Sequence, residues 1–185
     1  SSFKYSRGIK TIKFSPNTEL KKIGKNAFAG TTIKNISIPS CVSELEDYWC
    51  DGIQRYNTVT VMICQQQNLL QIEKMIVGKS NPKSDSYDIL YFVQRDIENI
   101  QIPQTIKIIA SCAFGNSKIQ SITLSPHITK ICDCAFSCCY DLKRFEVQEG
   151  SELKTIGKYA FAGSEIESFI IPSSIVEFDE GWCEG

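Results

Sequence analysis

Apolar residues return along the chain in one short pattern, apolar-x-x-apolar-x-apolar. It reads Ile9-Ile12-Phe14, Ile33-Ile36-Ile38, Tyr56-Val59-Val61, Ile97-Ile100-Ile102, Ile119-Ile122-Leu124, Leu142-Phe145-Val147 and Ile166-Phe169-Ile171. The closing apolar pair has period two and is rich in β-branched and aromatic residues, which predicts a short strand. Pro39, Pro103 and Pro172 directly follow three of these strands and Pro126 follows a fourth by two residues. Proline lacks the N–H that pairing needs, so each strand ends there. An apolar residue comes next (Val42, Ile106, Ile128, Ile175), then another three positions on (Leu45, Ile109, Ile131, Phe178). An Ala-Phe pair then closes the unit: Ala27-Phe28, Ala113-Phe114, Ala135-Phe136 and Ala160-Phe161, the last three spaced by 22 and 25 residues. Trp49-Cys50 and Trp182-Cys183 hold the same place in their units.

Two units are near copies. Residues 19–52 and 152–185 match without gaps at 18 of 34 positions. The shared letters are mainly core and turn positions, Leu20, Ile23, Gly24, Ala27, Phe28 and Gly30 with their counterparts, so the duplication states a shape and not an active site. A period of 22 to 25 residues with one short strand per unit predicts a solenoid. No unit can bury its own apolar residues; stacking joins Ile36, Val59 and their equivalents into a ladder, while the phenylalanines fill the opposite arc.

Units such as IQIPQTIKIIASCAFGNSKIQSITL and FIIPSSIVEFDEGWCEG resemble the BspA-like (Treponema-type) leucine-rich repeats, whose unit runs strand-Pro-x-x-Val-x-x-Ile-Gly-x-x-Ala-Phe-x-x-Cys. Ile23-Gly24 with Ala27-Phe28, and Ile156-Gly157 with Ala160-Phe161, match it closely. The resemblance covers nearly the whole chain and weakens between Cys64 and Ile97. It implies an α/β-type repeat solenoid, with short parallel strands on one face and loops with short helical or 3-10 turns on the other. It also implies the surface of anaerobic bacteria or of protozoan parasites such as trichomonads, and adhesion to a host or matrix protein or glycan instead of catalysis. The expected organisation is one domain over 1–185 of about eight turns, ending halfway round an arc as a piece of a longer chain would.

The stretch 64–96 breaks the period. Ile72, Met75 and Val77 can supply one irregular strand, with GKSNPKSD as an exposed loop, and Tyr91-Phe92 sits 22 residues before Ala113-Phe114 as if ending a degenerate arc. A decayed repeat that keeps the stack continuous is favoured over an inserted recognition loop, although long exceptional loops do bind partners.

Composition narrows the function. Twenty basic against 21 acidic residues give a net charge of −1, which does not supply the basic face that nucleic acid needs. No apolar run is long enough to span a membrane. The only histidine, His127, lies at a strand exit without a nucleophile elbow, and no P-loop or G-x-G-x-x-G follows a strand. Catalytic, cofactor and metal residues are therefore expected to be none, and the reading is not an enzyme. The acidic stretches Glu44–Asp47 and Glu177–Glu180 recur with the repeat and suit a solvated edge.

Nine cysteines invite a metal reading, above all Cys132-x-Cys134-x-x-x-Cys138-Cys139. The register scatters them instead: Cys132 takes the Gly24 position, Cys138 the Gly30 position, and Cys134 the position of Cys112 one 22-residue unit earlier. Cys41 and Cys64 form a similar pair. Stacked strands lie about 4.8 Å apart, so both pairs are within bridging reach, yet no obligatory disulfide framework is expected. Cys50 and Cys183 stand where the core phenylalanine belongs and should be buried.

Outward positions between the ladder residues are the candidate partner-binding face. One row reads Lys13, Ser37, Thr60, Gln101, Thr123, Glu146 and Ile170; its neighbour reads Thr11, Asn35, Thr58, Asn99, Ser121, Arg144 and Ser168. Small neutral polar groups dominate until Arg144 and Glu146, which makes the C-terminal half the distinctive patch. The expected ligand is a protein or glycan. The alternative to a surface adhesin is an intracellular leucine-rich repeat scaffold, which the many cysteines would suit. Ligand identity and oligomeric state stay open.

Overall fold

A computed structural model describes residues 3–15, 17–39, 41–53, 60–63 and 68–184; for Asn35 and 60–63 it describes the backbone alone. Its strands, in chain order, are β1 (Thr11–Ile12), β2 (Lys22–Ile23), β3 (Asn35–Ile38), β4 (Glu44–Leu45), β5 (Thr60–Ile63), β6 (Leu69–Ile72), β7 (Met75–Gly78), β8 (Ile89–Val93), β9 (Ile108–Ile109), β10 (Ser121–Leu124), β11 (Lys130–Ile131), β12 (Arg144–Val147), β13 (Thr155–Ile156) and β14 (Glu177–Phe178).

Each coil carries two short strands and an arc, so the solenoid of about seven turns has three sides. The first strand face holds β1-β3-β5 and β10-β12, all parallel, from the predicted pattern. The second strand face, β2-β4 and β8-β9-β11-β13-β14, is a side that apolar spacing marked only as single inward residues. Ile23, Leu45, Ile109, Ile131 and Ile156 are those residues, all buried. Phe178, at the same position, is 38% exposed, for no described coil lies beyond it.

The third side is neither helix nor 3-10 among the described residues. The arc is a run of hydrogen-bonded turns: Ala27 N–H to Gly24 O, Ala29 N–H to Asn26 O, Thr31 N–H to Phe28 O. Two left-handed positions recur in it. Asn26, Tyr48, Cys112, Cys134 and Tyr159 hold the first and Tyr5, Gly30, Gly52, Asn116, Cys138 and Gly163 the second, with φ between 54° and 69°. A left-handed residue stops a helix from propagating. It frees alternate N–H groups to bond to the next coil, as Phe114 does to Ala135 O at 2.8 Å and Phe136 to Ala160 O at 2.7 Å.

Inside, the arc phenylalanines stack as expected. Phe114 and Phe136 centroids are 4.6 Å apart and Phe136 and Phe161 5.1 Å, with Phe145 edge-on to both Phe136 and Phe161. Aromatic pairs at such spacing contribute about 0.5–1.5 kcal/mol beyond area burial. Cys50 is fully buried beside the ring series, but Cys183 is exposed, which corrects the expectation. Trp182 fills the space instead, its ring 6.2 Å from Phe161, and leaves Cys183 on the uncovered side.

The irregular segment is a three-stranded antiparallel meander, β6-β7-β8, inserted in the parallel stack. β6 and β7 are joined at Glu73-Lys74, with Glu73 left-handed at φ 49°. Ile72, Met75 and Val77 thus belong to two strands and not one. Tyr91 and Phe92 lie in β8 and do not end an arc. Phe92 nevertheless joins the ring series, 5.6 Å from Trp49, and β8 pairs in parallel with β9. The stack stays continuous across the break.

Two cores meet at this seam. One runs through Ile23, Phe28, Trp49, Cys50 and Phe92, the other through Phe114, Phe136, Phe145 and Phe161. Arg95, 1% exposed, lies between them. It donates to Ala113 O at 2.6 Å, Cys112 O at 2.9 Å and Val93 O at 3.2 Å, and its guanidinium carbon sits 4.3 Å from the Phe92 ring centre. Ala113 O also accepts the Val93 N–H at 3.0 Å and Cys112 O the Gly115 N–H at 3.1 Å, so the guanidinium adds to backbone bonds at both carbonyls.

Candidate binding face

The first strand face carries the outward rows as read in the C-terminal half. Ser121 pairs with Arg144 and Thr123 with Glu146 across β10 and β12, and Arg144 bridges to Ser168 in the next coil. Ser121 Oγ donates to Asn99 Oδ1 at 3.0 Å and Thr123 Oγ1 to Glu146 Oε2 at 3.4 Å, so the rows are laced across coils. Lys13, Ser37, Asn99, Gln101, Thr123, Arg144, Glu146 and Ser168 are exposed and Ser121 half-buried.

In the N-terminal half Thr11 lies opposite Asn35 as read, but the rows depart by two residues at β5. Asn35 pairs with Thr60 and Ser37 with Met62, so Thr60 belongs to the Asn35 row, and Ile36 faces Val61 where Val59 was expected. A two-residue slip keeps every side chain on its own face, so alternation does not expose it. Thr58, Tyr56, Val59 and Cys64 lie outside the described residues, and with Cys64 the proximity of Cys41 to it. Cys41 donates its thiol to Thr18 O at 3.0 Å.

A groove of about 450 Å3 opens at the C-terminal end of this face, lined by Arg144, Glu146, Gln148, Ser168, Ile170 and Pro172 among others. Arg144 also borders a second, more polar recess of about 630 Å3 with Gln120, Asp141, Lys143 and Glu165. Ile170 stands 89% exposed where earlier coils place lysine, serine, methionine, glutamine, threonine or glutamate. The sequence row contained this isoleucine; what spacing did not convey is that 148–151 rise beside it as the groove's wall.

The meander loop 79–86 is exposed but tied down. Asp88 accepts from Ser80 N–H at 2.7 Å and from Ser80 Oγ at 2.5 Å, and the Lys79 ammonium lies 5.0 Å from the Tyr87 ring centre. On the second face Lys22 pairs with Glu44 at 3.0 Å and with Glu46. Those hydrogen bonds raise the Lys22 pKa and lower that of Glu46. The Ile-Gly motif has its reason here: Glu46 and Asp133 reach in from the neighbouring coil to accept the N–H of Lys25 and Lys158 at 2.7 and 3.0 Å. A Cβ on Gly157 would collide with Asp133.

Chemistry elsewhere stays dispersed. His127 is exposed, 3.7 Å from a Glu152 carboxylate oxygen. Among the described residues no three metal-ligating side chains converge, and no helix is long and apolar enough to cross a membrane. Burial pushes the Cys50, Cys132 and Cys139 thiols up to about 11, which keeps them protonated.

The fold recurs in two solved structures. A leucine-rich cell surface protein from Faecalibacterium prausnitzii superposes with a TM-score of 0.83 at 20% identity, over 98% of this chain and 46% of its own. The pneumococcal vaccine antigen PcpA superposes with a TM-score of 0.79 at 21% identity, over 94% of this chain and 42% of its own. The chain thus spans less than half the length of either. No curated protein matches its sequence. The model of the BspA type leucine rich repeat region (6 copies) matches residues 1–81 and 89–184, which agrees with the strand, Ile-Gly and Ala-Phe positions above, and the chain belongs to that family.

Proposed function

We propose that this chain is a non-enzymatic, surface-displayed binding module that holds a protein or glycan ligand on its first strand face. The groove of Arg144, Glu146, Ser168 and Ile170 carries the reading. It joins a forked cation, a carboxylate, hydroxyl groups and exposed apolar surface within one concave site, the mixture that recognition sites use. The preceding coils extend the same face through Ser121, Thr123, Asn99 and Gln101, and in the N-terminal half through Lys13, Asn35, Ser37 and Thr60. The likeness in fold to a bacterial cell surface protein supports display at a surface, and the resemblance supports adhesion.

Binding of the purified chain to arrayed matrix proteins, host-cell surfaces and glycans tests the proposal. A ligand found there should lose at least about tenfold in affinity with Arg144→Ala combined with Glu146→Ala. Retained binding in that variant, with loss on deleting residues 79–86, would move the site to the meander loop. The intracellular scaffold would use the same face; protease shaving of intact source cells separates the two, since only a displayed chain is cut.

A further inference from the structure

Two thiols in the arc are placed for chemistry that ligand binding does not use. Cys112 and Cys134 hold the same left-handed position in consecutive coils, with φ of 59° and 55°. Equal backbone conformations send their Cβ atoms in the same direction, one coil apart. Cys112 N–H donates to Asp133 O at 3.2 Å, and Phe114 N–H to Ala135 O at 2.8 Å, so the coils are in register through the cysteines. The Phe114 and Phe136 rings, two residues further along the same coils, are 4.6 Å apart. Coils hydrogen-bonded in this way lie about 4.8 Å apart, within the range of about 4.4–6.8 Å that disulfide-bonded Cα pairs occupy. Cys112 is buried and Cys134 half-buried, so a reagent from solvent meets Cys134 first. From the N-terminal core, Asp51 accepts a hydrogen bond from the Cys112 thiol, Sγ to Oδ1 3.6 Å.

We propose that Cys112 and Cys134 form a redox-active dithiol, closed into an inter-coil disulfide by exchange with a low-molecular-weight disulfide. The Cys134 thiolate attacks one sulfur of that disulfide, whose S–S bond breaks and releases one thiolate, leaving a mixed disulfide on Cys134. Cys112 then gives up its proton, by way of the Asp51 carboxylate, to the first thiolate released, and its sulfur attacks Cys134 Sγ and expels the second thiolate. Two protein thiols are oxidised and the small disulfide is reduced to two thiols. The adjoining Cys112 thiol holds the Cys134 pKa below its ordinary value, while that contact and burial raise the pKa of Cys112. The nucleophile is thereby the accessible thiol and the resolving thiol the sheltered one. Cys50, Cys132 and Cys139 are held protonated by burial, so none of them competes with Cys134 for the first attack.

Native chain incubated with oxidised glutathione, quenched by alkylation and peptide-mapped, tests this. The peptides bearing Cys112 and Cys134 should appear cross-linked ahead of any other pair. Cys112→Ser should stop at a glutathione mixed disulfide on Cys134, and Asp51→Asn should slow closure about tenfold or more without slowing the first attack. Earlier linkage of Cys138 or Cys183, or a Cys134 mixed disulfide that persists in the wild-type chain, would overturn the proposal. Closure at an unchanged rate in Asp51→Asn would overturn the proton route.

Discussion

Replacing Arg95 by methionine removes the charge from the seam and keeps most of the side chain's length. Arg95 makes three charge-assisted bonds to carbonyls, two of them at 2.6 and 2.9 Å, and stacks on Phe92. At about 1.5–3 kcal/mol per bond to a charged group and about 2 kcal/mol for a desolvated cation–π contact, the gross gain is about 6.5–11 kcal/mol. Against this stand the burial of a guanidinium, several kcal/mol, and a buried Nε without a partner, about 1–3 kcal/mol. The difference leaves Arg95→Met less stable by about 2–3 kcal/mol, a fall in Tm of about 5–10 °C for a chain of this size. Arg95→Lys should fall at least as far, because it keeps the burial cost and loses the fork. The loss should also be local. The chain's two tryptophans report one core each, Trp49 the N-terminal and Trp182 the C-terminal. In a solenoid, stability sums over neighbouring coils. Urea melts of Trp182→Phe and Trp49→Phe chains should therefore coincide while Arg95 is present and separate once Arg95→Met is added to each. A variant as stable as the parent, with coincident melts, would show that the buried charge gains nothing from its carbonyls and that the seam is held by apolar packing alone.

Other changes test other parts of the stack. Phe136, fully buried between Phe114 and Phe161, should lose about 3–5 kcal/mol as Phe136→Ala in urea denaturation. Tyr48 donates to Asp133 at 2.6 Å, and burial and that bond raise its pKa; burial takes Tyr91 up to about 12. Both phenols are raised above the unfolded value, so their stabilisation is complete below about pH 10 and is lost as pH rises past it; circular dichroism with phenolate absorbance should show alkaline unfolding that Asp133→Asn weakens. Ile170→Asp should leave Tm within about 1 °C, since the side chain is 89% exposed, and Cys183→Ser likewise; a larger fall would mean that these residues are packed in solution.

What the sequence discloses is what stacking repeats. Inward residues recur because each coil must present the same apolar shape to the next, and the strand pattern is legible seven times, the proline exit four times and the Ala-Phe ring position four times. The second face escaped as strand because β2, β4, β9, β11 and β13 have two residues each, too few to show alternation. The left-handed arc positions escaped for another reason. Glycine marks them at Gly30, Gly52 and Gly163, but cysteine, tyrosine and asparagine hold the same φ at Cys112, Cys134, Tyr159 and Asn116, and such residues enter that region only when packing enforces it. The meander had a faint signal, since LLQI and MIVG are apolar runs two residues apart, but Glu73-Lys74 lacks the glycine or asparagine of a strong hairpin turn. The binding face is hardest for a physical reason: outward residues do not touch the next coil's core and are free to differ. Arg144, Glu146 and Ile170 stand out only against the neutral rows before them, while the wall that turns them into a groove comes from an irregular excursion at 148–151. Repetition therefore sets the frame of the coils, and the departures from it, Arg95, Cys134 and Ile170 foremost, mark where this chain differs from its own repeat.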